Sequence, residues 1–378
     1  MDDLFSTYSK LLPQVATWLD WKLPTRGRES SAQRVQHVRA KALDLLRGLL
    51  PASSLSHVGI FASGQAYESL VLHLLAHPLP EARRYGAEIL QQLEAVIPSF
   101  VARVERPDRG GHWIHFLKER QARSEELVRK YRLDVSEETV DAPQVCLVST
   151  QGDEAELLES MLFEAGSTSE QEIRDVVSGL SPEKRADAIE QLVGPRSNRR
   201  HRPGRGFERI RYRFEVVSDY AAFRDLQRHR MLTVQWQGLS PDLGFHTPSE
   251  LQDAGVVDEF RRAIEVSRDE FDRLKSAGLD WAAPYALCLA FRVRYVMDMT
   301  AREAMHLVEL RSRPEGHASY RWVAQQIHRH IEEKHPAVAK AMAFADLTAE
   351  DGRDLVEDAF VPQGQFDLSK AVVADRSA

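Results

Sequence analysis

Apolar positions along the chain fall into two regimes. In residues 31–50, Val35, Val38, Ala42, Leu45, Leu46, Leu49 and Leu50 recur at helical spacing until Pro51 stops them. Residues 65–76 and 81–97 predict two further helices, broken by Pro78 and Pro80 and closed by Pro98. Residues 120–131 predict a charged helix that leads into an acidic linker over 136–142. The first 140 residues therefore read as almost entirely helical.

From Gln144 the pattern changes. Val145, Leu147 and Val148 form a short apolar run that predicts a buried strand. Residues 154–166, 168–179 and 182–193 predict short helices with Ser, Thr or Asp starts. Ser181 followed by Lys184 supplies half of a capping box. A basic loop over 194–206 precedes residues 209–218, where Ile210, Tyr212, Phe214 and Val216 alternate with polar residues. That alternation is the mark of a strand with one buried face. Asp219 predicts the cap of a helix running to about residue 228, and 231–237 an extended segment. Helices are expected again over 254–278, 301–310 and 319–333, and the tail over 349–378 is acidic and poorly patterned.

The helical half contains an echo of the later part. A proline, a mixed segment, a helix with Leu70, Leu72 and Leu74 and a longer helix ending at Pro98 repeat the order from Pro284 through 301–310 to Pro336. Leu74 lies 24 residues before Pro98, and Leu310 lies 26 before Pro336. The pattern suggests a duplication whose first copy is incomplete.

Composition narrows the class. At 378 residues, and about 150 per domain, two or three domains are expected. A net charge of −7 with 43% hydrophobic residues is that of a globular chain, and the apolar stretch over 285–291 is far below the ~20 residues of a membrane span. The first residues, Met-Asp-Asp-Leu, carry no basic n-region or cleavage site of a secretory signal. The two cysteines, Cys146 and Cys288, form no CxxC, which excludes a disulfide scaffold and a thiolate zinc site and fits a cytoplasmic location.

Nitrogen-rich side chains carry the candidate chemistry. Arg196, Arg199, Arg200, His201, Arg202, Arg205, Arg209, Arg211 and Arg213 form either a solvated basic loop or an anion site. The net negative charge and the few interleaved aromatic residues disfavour nucleic acid. Gly204-x-Gly206 lacks the preceding strand and third glycine of a dinucleotide loop. Gln227-Arg228-His229-Arg230 ends a predicted helix, where cations either complement the dipole or clamp a diphosphate. Arg302 and His306 share a helix face, with Arg311 at the helix end, reaching outward, and His317 beyond. Beside Met305, Leu307 and Leu310 they are expected to line a cleft. His328, His330 and His335 with Glu332 and Glu333 lack HExxH spacing, so no metal is expected. There is no GxSxG elbow.

Taken together, these segments resemble the flavin-dependent thymidylate synthase (ThyX) family. Phe207-Glu208-Arg209 resembles its Phe-Glu-His segment, Gln227-Arg228-His229-Arg230 its RHR triplet with the preceding glutamine, and Gly244-Phe245-His246-Thr247-Pro248 the segment that follows. Thr300-Ala301-Arg302 through Leu310-Arg311 resembles the Asn-Ala-Arg helix, and His317-Ala318 the His-Ala pair, in order over residues 144–340. Residues 31–105 resemble the second half of another such unit, with Gly64-Gln65-Ala66 where Thr300-Ala301-Arg302 stands. The sequence also departs from the family pattern. Gly238 stands for the motif serine, Trp236 for a glutamate and Ser240-Pro241 for Arg-Tyr, while Thr300 and His306 replace asparagines.

The resemblance implies an α+β fold, helices on a curved antiparallel sheet, over residues 141–348. Residues 1–140 would then be a helical half-unit and 349–378 a tail. It implies a homo-oligomer with FAD bound between subunits, and reductive methylation of dUMP to dTMP with methylenetetrahydrofolate and NADPH. Arg228, His229, Arg230, Thr300, Arg302 and His306 would hold the cofactor, with His317 near the flavin or folate ring. Gln227 and Arg311 would meet the nucleotide. A homologue that has lost catalysis but still binds FAD or a nucleotide, or supports an assembly, is the competing expectation.

Overall fold

A computed structural model describes residues 1–24, 30–133 and 140–348; the expected tail over 349–378 and part of the acidic linker lie outside the described residues. In chain order the helices α1 (Asp2–Lys22), α2 (Ser31–Leu46), α3 (Gly64–Ala76), α4 (Pro80–Val96), α5 (Pro98–Val101) and α6 (His112–Lys130) come first. Strand β1 (Gln144–Gln151) is followed by α7 (Glu154–Ala165), α8 (Glu170–Ser178), α9 (Pro182–Val193) and β2 (Arg211–Asp219). Next come α10 (Tyr220–Leu226), β3 (Leu232–Trp236), α11 (Glu250–Asp253) and α12 (Val257–Ser276). Strand β4 (Arg292–Thr300) precedes α13 (Ala301–Arg311), α14 (Ala318–Lys334) and α15 (Pro336–Lys340).

The chain divides into two compact units. Among the described residues the first holds 1–24, 30–52, 140–268 and 287–348, so α1 and α2 belong with the sheet and not with the other N-terminal helices. Among its described residues four strands form one antiparallel sheet in the order β1-β2-β4-β3, which gives the α+β architecture. The alternation read in β2 holds, since Tyr212, Phe214 and Val216 are fully buried. Tyr295, Met297 and Met299 of β4 join them, and α7, α10, α13 and α14 contribute Leu157, Phe223, Leu307 and Ile327 to the same core. The strand expected to be buried, around Val145 to Val148, is instead the sheet's outer strand β1. It has one neighbour, and Val148 is 55% exposed.

Among the described residues the second unit comprises 53–133 and 269–286. Val71, Leu72, Leu90, Val101 and Val104, from α3, α4, α5 and the turn after it, form its core. Within it, Tyr285 Oη donates to Glu81 at 2.6 Å.

The two segments read as an echo in the sequence open their helices in the same way. The side chains of Ser63 and Thr300 each accept the backbone N–H three residues on, opening α3 and α13. Gly64 therefore stands opposite Ala301, one residue on from the register read in the sequence. The longer helices α4 and α14 both have 17 residues. Their C-caps Ile97 (φ −134, ψ 51) and His335 (φ −138, ψ 78) share a conformation before the prolines that open α5 and α15.

Candidate functional site

The site is built where α10 ends and α13 runs beside it. Asp219 Oδ1 accepts Ala222 N–H at 2.9 Å and starts α10 as the sequence predicts. After Leu226 the chain turns through Gln227-Arg228-His229-Arg230 before entering β3. Gln227, Arg228 and Arg230 are exposed on this turn, whereas His229 is buried.

Two residues of α13 hold the buried imidazole. His229 Nε2 accepts Arg311 Nε–H at 3.2 Å, so the ring proton sits on Nδ1, which donates to Glu303 Oε1 at 2.8 Å. Thr300 caps α13 by accepting Glu303 N–H at 3.4 Å, which fixes the residue whose carboxylate meets His229. Arg311 Nη2 donates to Asp225 O at 2.7 Å, and its guanidinium lies over the Tyr320 ring, 5.4 Å from the centroid. Arg311 is thus folded back and bound on two sides, where the sequence suggested an outward-reaching side chain.

His306 lies between these anchors, its ring centroid 5.2 Å from that of His229. Loss of hydration on its inner side pushes its pKa down, with Arg199 and His229 adding to the effect and Glu303 opposing it. Ligand atoms of His229, Glu303 and His306 lie within 4.8 Å of one another, a spacing that would admit a cation. Both nitrogens of His229 already make hydrogen bonds, however, and the Arg311 cation is one of the partners. In this arrangement His229 therefore has no ring nitrogen free to ligate a cation.

The other expected residues fall around this seam. His317 caps α14; its Nδ1 accepts Ser319 N–H at 3.3 Å and its Nε2 donates to Asp44 O at 3.3 Å. Burial, then the Arg47 cation, push its pKa down, against Asp219 and Asp44. Arg302 stands apart from His229 in its bonding, ion-paired with Glu208. Several arginines of the basic cluster are ion-paired. Arg196 is buried in a two-pronged pair with Glu309 at 2.5 and 2.8 Å, Arg209 pairs with Glu156, and Arg211 and Arg213 with Asp298. Trp236 is 60% exposed at the end of β3, its ring 5.8 Å from that of Phe223.

Four residues of the seam were not singled out in the sequence: Arg47, Asp225, Glu303 and Tyr320. Arg47 Nη2 donates to Ala221 O and to Asp225 Oδ2, both at 3.1 Å. Asp225 Oδ1 lies 3.6 Å from Arg228. Only Glu303 carried a readable signal, the Thr-x-x-Glu pattern of a helix start. Among the described residues no helix is long and apolar enough to cross a membrane.

Residues 137–337 match the model of a family described as "Thymidylate synthase complementing protein". The chain is 34% identical over 349 residues to a UPF0159 protein of Chlamydia pneumoniae, covering 92% of this chain and 65% of that one. A UPF0159 protein of Chlamydia muridarum is 32% identical over 353 residues, 93% of this chain and 66% of its own. The chain thus spans about two thirds of the length of these relatives. Among solved structures, the UMP/dUMP methylase PolB of Streptomyces cacaoi, bound with 5-Br dUMP, is 20% identical, with a TM-score of 0.43 over 54% of this chain and 96% of that one. That likeness is too loose to carry an argument.

Proposed function

Because this chain belongs to the thymidylate synthase complementing protein family, we propose that it binds FAD and a pyrimidine nucleoside monophosphate and reductively methylates dUMP to dTMP. The observation that carries the reading is the bond chain Glu303–His229–Arg311–Asp225, which fixes the family's arginine–histidine–arginine turn from both sides. The exposed donors of Gln227, Arg228 and Arg230, with the His306 imidazole beside them, suit a ligand that carries phosphate groups. Arg302 would join them by exchanging the Glu208 carboxylate for a ligand oxygen.

In this reading Arg228, Arg230, Arg302 and His306 hold the cofactor, and Gln227 and Arg311 meet the nucleotide. His229 serves by locking the turn, since both of its nitrogens are engaged. Thr300 serves by setting the start of α13, and His317 flanks the bound ring. When bound, the flavin supplies the hydride, methylenetetrahydrofolate the carbon and NADPH the reducing equivalents; the protein supplies binding and orientation. Assembly as a homo-oligomer in the cytoplasm belongs to the same proposal.

The test is the visible absorbance of the purified protein before and after adding FAD. Flavin bands should stay with the protein and be lost in Arg228→Ala and Arg302→Ala, and NADPH oxidation should depend on dUMP. A colourless protein that does not retain added FAD would sink the proposal. A second reading, binding without turnover, is favoured by the loop after β3. Gly238 occupies the motif serine's place with nothing within 4 Å of a built Cβ, and the neighbouring Trp236 side chain is exposed. Retained flavin without dUMP-dependent oxidation would establish that second reading.

A further inference from the structure

The half-repeat contributes a residue to the seam. At offset 237, the distance from Ser63 to Thr300, Pro51 is the counterpart of Cys288, and these two form an isolated antiparallel bridge. Around it Ala52 N–H donates to Leu287 O at 2.8 Å, Leu289 N–H to Leu50 O at 2.9 Å and Ala290 N–H to Gly48 O at 2.9 Å. Pairing of a segment with its own counterpart is the geometry of a two-fold contact between identical subunits, here closed within one chain. The turn just before the bridge carries Arg47. The second copy has Pro284 at that position, so the cation is a feature of the half-repeat alone.

Arg47 reaches the seam through Asp225. One carboxylate oxygen of Asp225 takes Arg47 at 3.1 Å and the other lies 3.6 Å from Arg228, the first arginine of the exposed turn. The Arg47 and Asp225 side chains are largely shielded, at 23% and 16% exposure, whereas Arg228 is 67% exposed. The shielded pair is electrostatically the stronger, because solvent and salt screen the exposed contact.

We propose that Arg47 is a positioning residue of the binding seam: it neutralises Asp225 and thereby leaves Arg228 available to the phosphate groups of a nucleotide. The proposal rests on the nucleotide-binding reading for the ligand's identity, but its charge logic requires only an anion. Without Arg47, the Asp225 carboxylate would draw Arg228 back along the helix end. A mere tether would behave differently, because removing either partner of the Arg47–Asp225 bond would then do the same damage.

The test measures binding of inorganic pyrophosphate, by phosphorus NMR, and of FAD, by fluorescence, to the full chain and four variants. Arg47→Ala should weaken both ligands by about tenfold, the loss of one charge-assisted phosphate contact. Arg47→Lys should recover most of that loss, and Asp225→Asn should tighten pyrophosphate by releasing both arginines. The double variant Arg47→Ala/Asp225→Asn should bind several-fold better than Arg47→Ala alone. Equal weakening in Arg47→Ala, Asp225→Asn and the double variant would overturn the proposal, as would wild-type affinity in Arg47→Ala or no pyrophosphate binding by the wild type. If the pyrophosphate pattern holds while FAD fails to bind, the proposal stands and the flavin reading falls.

Discussion

At the level of single residues, the seam depends on a buried donor having one good acceptor. His229 and Glu303 side chains are 2% and 8% exposed, and the Nδ1–H of His229 meets the Glu303 carboxylate at 2.8 Å. Glu303→Ala leaves that N–H buried without its acceptor and should cost about 2–3 kcal/mol of stability, whereas Glu303→Gln retains an amide oxygen and should cost about 1 kcal/mol. Urea unfolding of the two variants checks the difference, and equal losses would show that the hydrogen bond is not what matters. The same residues show what a sequence conceals. The triplet around His229 was legible because its residues are adjacent. Its partners lie 74 and 82 positions away at Glu303 and Arg311, and Arg47 meets Asp225 across 178 positions. No local periodicity reports a contact of that separation; only the Thr-x-x-Glu cap marked Glu303, and it did not say where the carboxylate would point.

Elements were legible where a local signal began and ended them. The helix over 182–193 has its serine cap and proline at one end and Gly194, at φ +63, at the other, and its bounds are those expected. Strand β4 was missed although Val293, Tyr295, Met297 and Met299 alternate through it, all of them buried. It follows the apolar stretch over 285–291 and runs directly into the Thr300 cap, so no turn residue separates it from its neighbours. The short 3-10 turn Arg205–Glu208, which presents Glu208 to Arg302, is held by contact instead. A Cβ at Gly206 would stand 2.5 Å from Met161 Cγ and 2.8 Å from Leu157 O. Gly206→Ala should therefore lower stability by about 1–3 kcal/mol, read as a fall in the thermal midpoint. Adding Met161→Ala should not recover the loss, because the backbone oxygen of Leu157 remains in the way. Full recovery would mean that the side chain alone sets the limit.

Across the whole molecule, buried imidazoles set how the fold answers acid. Burial is the largest cause of the lowered pKa values of His317, His328 and His335, so each resists protonation in the folded chain. The unfolded chain takes up these protons near pH 6.5, below which it binds more protons than the folded one. Stability from these groups is therefore fully present above about pH 6.5 and is lost as pH falls toward the depressed folded values. Net charge alone predicts the opposite at first. The chain is at −7 at pH 7 with a pI near 6.1, so mild acid reduces its self-repulsion. A denaturant midpoint that drops between pH 6.5 and 5.5 thus reports the local groups and not the overall charge. His328 separates the two most cleanly, being buried on α14 and unused by the seam. His328→Leu should flatten the pH dependence of unfolding by up to about 1.4 kcal/mol per pH unit, the limit for one proton. A slope identical to that of the wild type would mean that His328 binds its proton equally in both states, and that the acid sensitivity lies at the other lowered imidazoles, His77, His306, His317 and His335.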